Sequence, residues 1–171
     1  NYWIKIFIMN YLKISIGIFL ALAASRFIPH PPNFTSLLAV SFYIPALLGR
    51  KYIFSVITCF ILTDLIIGFH STTLFTWGSV GIIGYVSHYF LKSVSTRILG
   101  VVSGTLIFFI VSNFGVWASS ILHGNDTLTL LETYVIAIPF YGNTLFSTII
   151  FSFIIEGLIS LKRIKLFLRK I

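Results

Sequence analysis

Long apolar runs, almost free of charged side chains, restrict the fold of this chain more than any other feature. Residues 53–62 and 101–111 form two such runs and contain no charged residue. A membrane β-barrel alternates apolar and polar residues, whereas continuous apolar runs are typical of transmembrane helices. Only 9% of the 171 residues are charged, compared with about 25% in soluble domains. The sequence therefore predicts an all-α, polytopic membrane protein that forms a single integral membrane domain over residues 1–171.

Three prolines in residues 26–34 predict a break between the first two apolar runs. Pro29, Pro31 and Pro32 lack an amide N–H and have a fixed φ, so they cannot lie inside a continuing helix. The same segment carries a cation, an imidazole and an amide. We expect a stiff, extended connector that holds these polar groups over a membrane-embedded cavity.

The apolar runs divide into six predicted spans, of which the second is short for membrane crossing. They cover residues 7–27, 34–48, 52–68, 74–91, 98–122 and 143–161. Residues 127–141 are ambiguous, because their apolar positions fall near helical spacing while Glu132 and Pro139 interrupt them. This stretch is predicted to be an amphipathic helix at the membrane interface or a partly inserted helix.

The formal charge of +8 is distributed unevenly over the loops between these segments. Cations concentrate in alternate loops and in the C-terminal tail, at Arg50, Lys51, Lys92, Arg97, Lys162, Arg163, Lys165, Arg169 and Lys170. The opposite loops carry one cation, Arg26, together with His30, His70, His123, Asp126 and Glu132. This positive-inside pattern predicts six spans with both termini cytoplasmic. No nucleic-acid-binding motif accompanies the charge, so no nucleic-acid partner is expected.

The predicted orientation brings a set of polar residues to the extracytoplasmic half of the bundle. Amide and ionisable groups are costly in hydrocarbon, so we expect them to face the bundle interior and surround a cavity open to the outside. The candidate substrate-binding residues are Arg26, His30, Asn33, Asp64, His70, Asn113, Trp117 and Asn143.

The ionisable candidates also have structural interpretations. Arg26 either snorkels to the interface, pairs with Asp64 or contacts an anionic ligand group. A carboxylate such as Asp64 inside a span costs roughly 2.5–3.5 kcal/mol on insertion scales, so it needs either a partner or a ligand. His30 and His70 are interfacial residues, ligand contacts or metal ligands, and whether they bind a metal is left open.

The uncharged candidates leave similar alternatives. Asn113 either bridges two helices by hydrogen bonding or contacts a ligand. Trp117 either anchors the chain at the interface or stacks on a planar ligand. Glu156, in the inner half of the last span, is predicted to form inter-helix hydrogen bonds or to contact a partner.

Small residues recur at every fourth position of the first span, at Gly17, Ala21 and Ser25. This spacing puts them on one helix face and allows another backbone to approach closely. The face serves either internal helix packing or the docking of a separate subunit.

Enzymatic activity is not expected. The sequence has no Walker-type phosphate loop, no His-Glu-x-x-His motif and no serine-centred nucleophile elbow. Its four acidic residues do not assemble into a specific acid–base pair. Without a Walker loop, any ATP-driven uptake needs another polypeptide.

Five segments resemble an uncharacterised family of bacterial membrane proteins. They are RFIPHPPNFTS at 26–36, the segment 41–51 that ends in LLGRK, TDLIIGFH at 63–70, SNFGVWAS at 112–119 and AIPFYGNTL at 137–145. That family is related to the substrate-binding S components of energy-coupling-factor vitamin transporters. The resemblance covers nearly the whole chain.

The resemblance implies a six-helix, S-component-like bundle in a bacterial inner (cytoplasmic) membrane that binds its ligand near the extracytoplasmic side. It also implies that Gly17, Ala21 and Ser25 contact the energising module. Some cobalamin-specific members of the wider class use a thiolate to bind cobalt. Cys59 matches this role poorly, because the predicted topology puts it in the inner half of its span. No cofactor is predicted, and a corrinoid ligand, with His30 or His70 as cobalt partner, or a haem is an open alternative.

These inferences together predict a membrane-embedded substrate-binding subunit of an energy-coupling-factor-type importer. It would capture a small vitamin-like nutrient and work in the lipid bilayer with a transmembrane scaffold subunit and ATPase subunits. The alternative is an accessory or assembly subunit of a larger membrane complex, with no ligand of its own.

Overall fold

A computed structural model describes residues 2–124, 128–161 and 166, and these residues form six α-helices and no strand. A 3-10 turn, Ser87–Phe90, follows the fourth helix. The helices are α1 (Tyr2–Phe27), α2 (Leu37–Leu48), α3 (Tyr52–Ile67), α4 (Thr73–Val86), α5 (Val94–Leu122) and α6 (Leu130–Ser160). Asp126 and the five cations of the C-terminal tail, used above as topology signals, lie outside the described residues.

The all-helical prediction is confirmed for the described part of the chain, and its composition indicates a membrane protein. Within that part, three helices are long and apolar enough to cross a membrane: α1 over Ile6–Phe27, α5 and α6. The helices α2 and α3 are apolar but shorter, with 12 and 16 residues. Six crossings and cytoplasmic termini stay predictions.

The short helix α2 lies at the centre of the bundle. It packs against α3, α4, α5 and α6 and touches α1. Nine of its twelve residues are buried, including Phe42 and Tyr43. Among the remaining contacts, α1 packs mainly against α3, and α4 packs against both α3 and α5. The helix α5 also packs against α6. The bundle therefore surrounds α2 and leaves α1 at its periphery.

Two pairs of helices run parallel and fix the ends of the bundle. In α1 and α3, the Ser15 and Ser55 hydroxyl oxygens are 2.6 Å apart, and Arg26 reaches Asp64. Along α2 and α6, Ser147 donates to the Asn33 carbonyl before the start of α2 at 3.4 Å, and further along both helices the Tyr43 hydroxyl donates to Glu156 at 2.9 Å. One end of the bundle, here the histidine end, therefore carries the connectors with His30, His70 and His123. The other, the basic end, carries Arg50, Lys51 and Lys92.

A buried ion pair joins α5 and α6 to α2 at the basic end. The Nε and Nη2 atoms of Arg97 donate to the two carboxylate oxygens of Glu156 at 2.6 and 2.8 Å. The Tyr43 hydroxyl donates to the same carboxylate. The side chains of Arg97 and Glu156 are 14% and 10% exposed. The interpretation of Glu156 as an inter-helix hydrogen-bonding residue is confirmed.

The described residues of the ambiguous stretch 127–141, from 128 onward, do not form a separate helix. From Leu130 onward they are the first part of α6, which continues through Pro139 to Ser160. The helix begins with a capping box between Thr129 and Glu132, and Tyr134 donates to the Ile110 carbonyl of α5 at 2.8 Å. Proline removes one helical hydrogen bond, and such a loss is tolerated where neighbouring helices support the segment. The predicted break at Pro139 is therefore wrong.

Two further boundaries differ from the prediction. The helix α5 begins at Val94 after a capping box between Ser93 and Thr96, so Arg97 lies inside α5 and not in a loop. The connector before α2 is a turn and not fully extended, because Asn33 has a φ of 61° and the Phe34 amide donates to the Pro31 carbonyl at 3.0 Å. Asparagine adopts positive φ more readily than most residues. This turn delays the start of α2 to Leu37.

Candidate ligand-binding cavity

A cavity of about 440 Å³ lies at the histidine end of the bundle. Residues of all six helices and of the α1–α2 and α3–α4 connectors line it. Its aromatic wall consists of Phe60, Phe108, Phe109, Phe140 and Tyr141. Among the described residues that line the cavity, none is acidic. The lining therefore combines ring faces with neutral and basic polar groups.

Five of the eight predicted substrate-binding residues line this cavity. They come from the end of α1, the two connectors and α5, which are distant in sequence: Arg26, His30, Asn33, His70 and Asn113. The predicted convergence of these five residues at one end of the bundle is thus present in the structure. Asp64, Trp117 and Asn143 are not among the lining residues.

Asp64 lies behind Arg26 and fixes its position. The Arg26 Nη2 atom donates to Asp64 Oδ1 at 2.6 Å, and Trp77 Nε1 donates to Oδ2 at 2.7 Å. Arg26 also donates to the Thr63 hydroxyl and lies over the Phe60 ring, 4.6 Å from its centroid. The Asp64 side chain is only 1% exposed. The carboxylate therefore acts as a partner of Arg26 and is not positioned to touch a ligand.

Trp77 is a part of this arrangement that sequence reasoning missed. Its indole N–H ties α4 to the ion pair between α1 and α3. A carboxylate inside an apolar helix requires hydrogen-bond donors, but the sequence does not indicate which helix provides them. The 13-residue separation of Asp64 and Trp77 crosses a connector, so helical spacing gives no signal.

The two histidines of the cavity rim each have one ring nitrogen engaged locally. His30 Nδ1 is 2.7 Å from the Pro31 carbonyl oxygen, which can only accept, so this nitrogen carries a proton. His70 Nδ1 is 2.7 Å from the Thr72 hydroxyl. Both residues are exposed. Within the described residues, no group of three or more His, Cys, Asp or Glu side chains is arranged to hold a metal ion.

Asn113 does not use its amide nitrogen to bridge helices. Its Nδ2 atom donates to the Phe109 carbonyl of the same helix at 2.8 Å. Both residues line the cavity. The interaction holds the carboxamide against α5 at the cavity wall.

Trp117 and Asn143 lie beside the cavity. The Trp117 ring packs against Phe114, with centroids 5.5 Å apart, toward the end of α5. Asn143 is half-buried on α6, between the lining residues Tyr141 and Thr144. The lining positions of α6 recur at helical spacing, and residue 143 falls off that face. Both were expected to contact substrate, and neither is among the residues that line the cavity.

A stripe of hydroxyl side chains on α6 was missed by the sequence interpretation. Thr144, Ser147 and Thr148 are buried, line the cavity and bond carbonyls of their own helix at 2.6–3.0 Å. Each hydroxyl donates its hydrogen in this way, so its oxygen keeps capacity to accept. The spacing of three and four residues was a readable signal for a polar face on an otherwise apolar helix.

The small-residue face of α1 is divided between two environments. Gly17 and Ala21 are exposed, and a Cβ atom added to Gly17 would meet no atom within 4 Å. The Ser25 hydroxyl is 2.8 Å from that of Ser36, so this residue joins α1 to the start of α2. Internal packing thus uses Ser25 and leaves Gly17 and Ala21 uncovered.

Cys59 is buried far from the histidines. Its thiol donates to the Ser15 carbonyl of α1 at 3.3 Å, and it does not line the cavity. It therefore offers no thiolate to a ligand there.

Comparison with known proteins identifies one family. Residues 8–168 match the model of a family of unknown function, DUF6580. The match spans most of the chain, so the chain belongs to this family. No curated protein and no solved structure matches it.

Proposed function

We propose that this member of the DUF6580 family is a membrane-embedded substrate-binding subunit of an energy-coupling-factor-type importer. It captures a small vitamin-like nutrient from the extracytoplasmic side. The observation that carries the proposal is the cavity at the histidine end, in which polar side chains from four separate parts of the chain meet an aromatic wall. A single polar residue in an apolar bundle needs only a local partner, whereas such a convergence is typical of a ligand site.

The size and chemistry of the cavity support a small organic ligand. Its 440 Å³ falls in the range of about 300–1,000 Å³ that is usual for small-molecule pockets. Arg26 is balanced by Asp64, so the wall presents little net charge. The aromatic side chains suit a ring system, and the histidines, Asn113 and the α6 hydroxyls offer hydrogen-bond partners.

The direction of uptake follows from the distribution of charge. Arg50, Lys51 and Lys92 lie at the end opposite the cavity. Under the positive-inside rule the basic end is cytoplasmic, and the cavity then faces the outside. Six crossings with both termini cytoplasmic are part of this proposal.

Energy for uptake would come from other subunits. The chain has no phosphate-binding loop, so we assign ATP hydrolysis to ATPase subunits acting through a transmembrane scaffold subunit. The exposed Gly17 and Ala21 support α1 as the helix that such a scaffold contacts, because small residues permit close approach of helix backbones.

A macrocyclic ligand fits the proposal less well. His30 and His70 offer imidazole nitrogens at the rim, but the volume lies in the lower part of the usual range. A corrinoid or a haem would require the outer segments to move apart. An absorbance spectrum of the purified protein tests this alternative directly.

The second candidate is an accessory or assembly subunit of a larger membrane complex. The uncovered Gly17 and Ala21 suit it equally well. An assembly role gives no reason for polar residues to gather around a cavity, and their convergence therefore favours the ligand-binding proposal.

The test is mass spectrometry, with an absorbance spectrum, on protein purified gently from native membranes. We expect a stoichiometric small organic molecule, and its yield should fall in His30→Ala. The matched control is His88→Ala, because His88 is exposed at the basic end. An empty protein that brings down subunits of a large complex other than an ATPase module would refute the proposal and favour the second candidate.

A further inference from the structure

A second concave surface lies between α1 and α3, on the outside of the bundle. This groove has a volume of about 390 Å³. Its walls include Leu12, Ile16 and Phe19 from α1 and Phe54 and Leu62 from α3. Phe54 is 75% exposed and Leu12 is 57% exposed, so the part of the bundle that is described leaves these walls uncovered. The groove is separate from the cavity described above, with which it shares no lining residue.

The polar groups at the base of the groove are bonded to one another. Ser15 donates to the Tyr11 carbonyl at 2.9 Å, and its oxygen is 2.6 Å from the Ser55 hydroxyl. The Cys59 thiol donates to the Ser15 carbonyl at 3.3 Å. These hydrogens are therefore used within the protein, and the surface that remains is mainly hydrocarbon. An apolar occupant fits such a surface.

The ammonium group of Lys51 lies at one end of this groove. The Tyr11 hydroxyl, which lines the groove, donates to the Lys51 carbonyl at 3.4 Å. Lys51 Nζ lies 4.4 Å from the centroid of the Phe7 ring and 5.2 Å from that of Tyr52. Such cation–π contacts hold an ammonium in place. The Tyr11 and Tyr52 rings stack with centroids 5.0 Å apart.

No described carboxylate neutralises this cation. The three acidic residues within the described ranges are engaged elsewhere: Asp64 with Arg26, Glu156 with Arg97 and Glu132 with Thr129. Lys51 itself is exposed. A positioned and exposed ammonium at the mouth of an apolar groove is complementary to a molecule with an anionic head and an apolar chain.

We infer that the α1–α3 groove binds an anionic phospholipid, with its phosphate at Lys51 and one acyl chain along the groove. The groove extends over nine residues of each helix, from Tyr11 to Phe19 and from Phe54 to Leu62, and the eight helical rises between the first and last of them span about 12 Å. Lys51 belongs to the basic end, and in the orientation proposed above this end meets the anionic headgroups of the cytoplasmic leaflet.

Native mass spectrometry of the detergent-purified protein tests this inference. The protein is incubated with equal amounts of phosphatidylglycerol and phosphatidylcholine of the same chain length. We expect the phosphatidylglycerol adduct to exceed the phosphatidylcholine adduct about fivefold, the preference that one lysine near an anionic headgroup supplies. Equal retention of the two lipids would overturn the inference.

Two variants, each with a matched control, locate the lipid. Lys51→Gln should abolish the preference, while Lys92→Gln, which removes an exposed cation at the same end, should leave it unchanged. Thr58→Trp should fill the groove and remove both adducts, and Ile66→Trp, on an exposed part of α3 outside the groove, should not. A preference that survives Lys51→Gln would refute the assignment, even if Thr58→Trp fails to fold.

A protein occupant gives a different result. If Thr58→Trp, and not Ile66→Trp, releases a co-purifying membrane subunit while lipid adducts persist, the groove belongs to a partner helix. The lipid inference then fails. Neither result bears on ligand binding in the cavity, because the two sites share no lining residue.

Discussion

The guanidinium of Arg26 and the carboxylate of Asp64 lie 2.6 Å apart, across the interface of the parallel helices α1 and α3. Arg26 lines the cavity and is 13% exposed, whereas Asp64 is 1% exposed and lies behind it. The pair therefore separates two tasks. Arg26 presents its charged group at the cavity wall, and Asp64, with the help of Trp77, holds that group in place.

Removal of Asp64 should destabilise the protein more than removal of both partners. Asp64→Ala leaves a largely buried guanidinium uncompensated, and breaking a buried pair in this way costs on the order of 3–5 kcal/mol. Arg26→Ala/Asp64→Ala removes both charges and should recover part of that loss. Thermal unfolding in detergent measures both variants, with Arg50→Gln, an exposed cation, as the control. A double variant that is at least as unstable as Asp64→Ala alone would contradict the coupling.

Asn113→Ala should weaken binding of the co-purified ligand while leaving the fold intact. Its carboxamide lies at the cavity wall and bonds only to its own helix in the described contacts, so few folding interactions are lost. Loss of one hydrogen bond to a neutral ligand group corresponds to about 0.5–1.5 kcal/mol, or roughly two- to twelvefold in Kd. Equilibrium binding with the ligand identified by mass spectrometry measures the change.

Asn143→Ala is the matched control for this prediction. It removes the same chemical group from a half-buried position on α6 that does not line the cavity. We expect its affinity to equal that of the unmodified protein. If Asn143→Ala weakens binding and Asn113→Ala does not, the cavity is misassigned.

Gly115→Ala should destabilise the contact between α4 and α5. A Cβ atom on residue 115 would lie 2.5 Å from Cγ of the Phe75 ring, so the ring or the helix must shift. Overpacking of this kind costs about 1–3 kcal/mol. Gly17→Ala is the control, because its added Cβ meets nothing within 4 Å and alanine favours the helix. A higher melting temperature for Gly115→Ala than for Gly17→Ala would show that α4 and α5 do not pack in this way.

Bulky residues on the exposed face of α1 should impair assembly and spare folding. Gly17→Leu adds volume where a Cβ atom meets no described atom within 4 Å, and Ala21→Leu adds volume at an exposed position. We expect unchanged melting temperatures and reduced recovery of the proposed scaffold and ATPase subunits by affinity purification. Leu20→Ile, an exposed position with conserved volume, serves as the control. Full recovery of partners with both bulky variants would exclude this face as a docking surface.

Glu156→Gln should loosen the basic end of the bundle. The change leaves Arg97 buried without its counter-charge and weakens the hydrogen bond from Tyr43. We expect a loss on the order of 3–5 kcal/mol, and a smaller loss of about 1.5–3 kcal/mol for Tyr43→Phe, which removes one hydrogen bond to a charged group. Chemical denaturation in detergent ranks the variants, and equal stability of Glu156→Gln and the unmodified protein would refute the role of the pair.

The sequence was sufficient to predict which end of the bundle collects polar residues. The cost of placing Arg26, Asn113 and the histidines in hydrocarbon depends on the polarity of their side chains. Their positions within the predicted spans give their depth in the membrane. Which face of a helix points toward the cavity depends on tertiary packing. For this reason Trp117 and Asn143 were assigned to a cavity that they do not line.

The helix ends were harder to predict than the helices. Pro139 has the local chemistry of a helix breaker, yet contacts with α5 support a continuous α6. Arg97 looked like a loop cation because its partner, Glu156, is 59 residues away. In both cases a long-range contact outweighs a local preference, and no local pattern encodes such a contact.

The unequal lengths of the helices have a consequence for the surrounding lipid. The helices α3 and α4, with 16 and 14 residues, are about 24 and 21 Å long, whereas α5 and α6, with 29 and 31 residues, are about 44 and 47 Å long. The hydrocarbon core of a typical bilayer is about 30 Å thick. With six crossings, as proposed above, a membrane becomes thinner beside α3 and α4, while α5 and α6 tilt or project from it. Acyl-chain length should then favour some membranes over others as hosts for this protein.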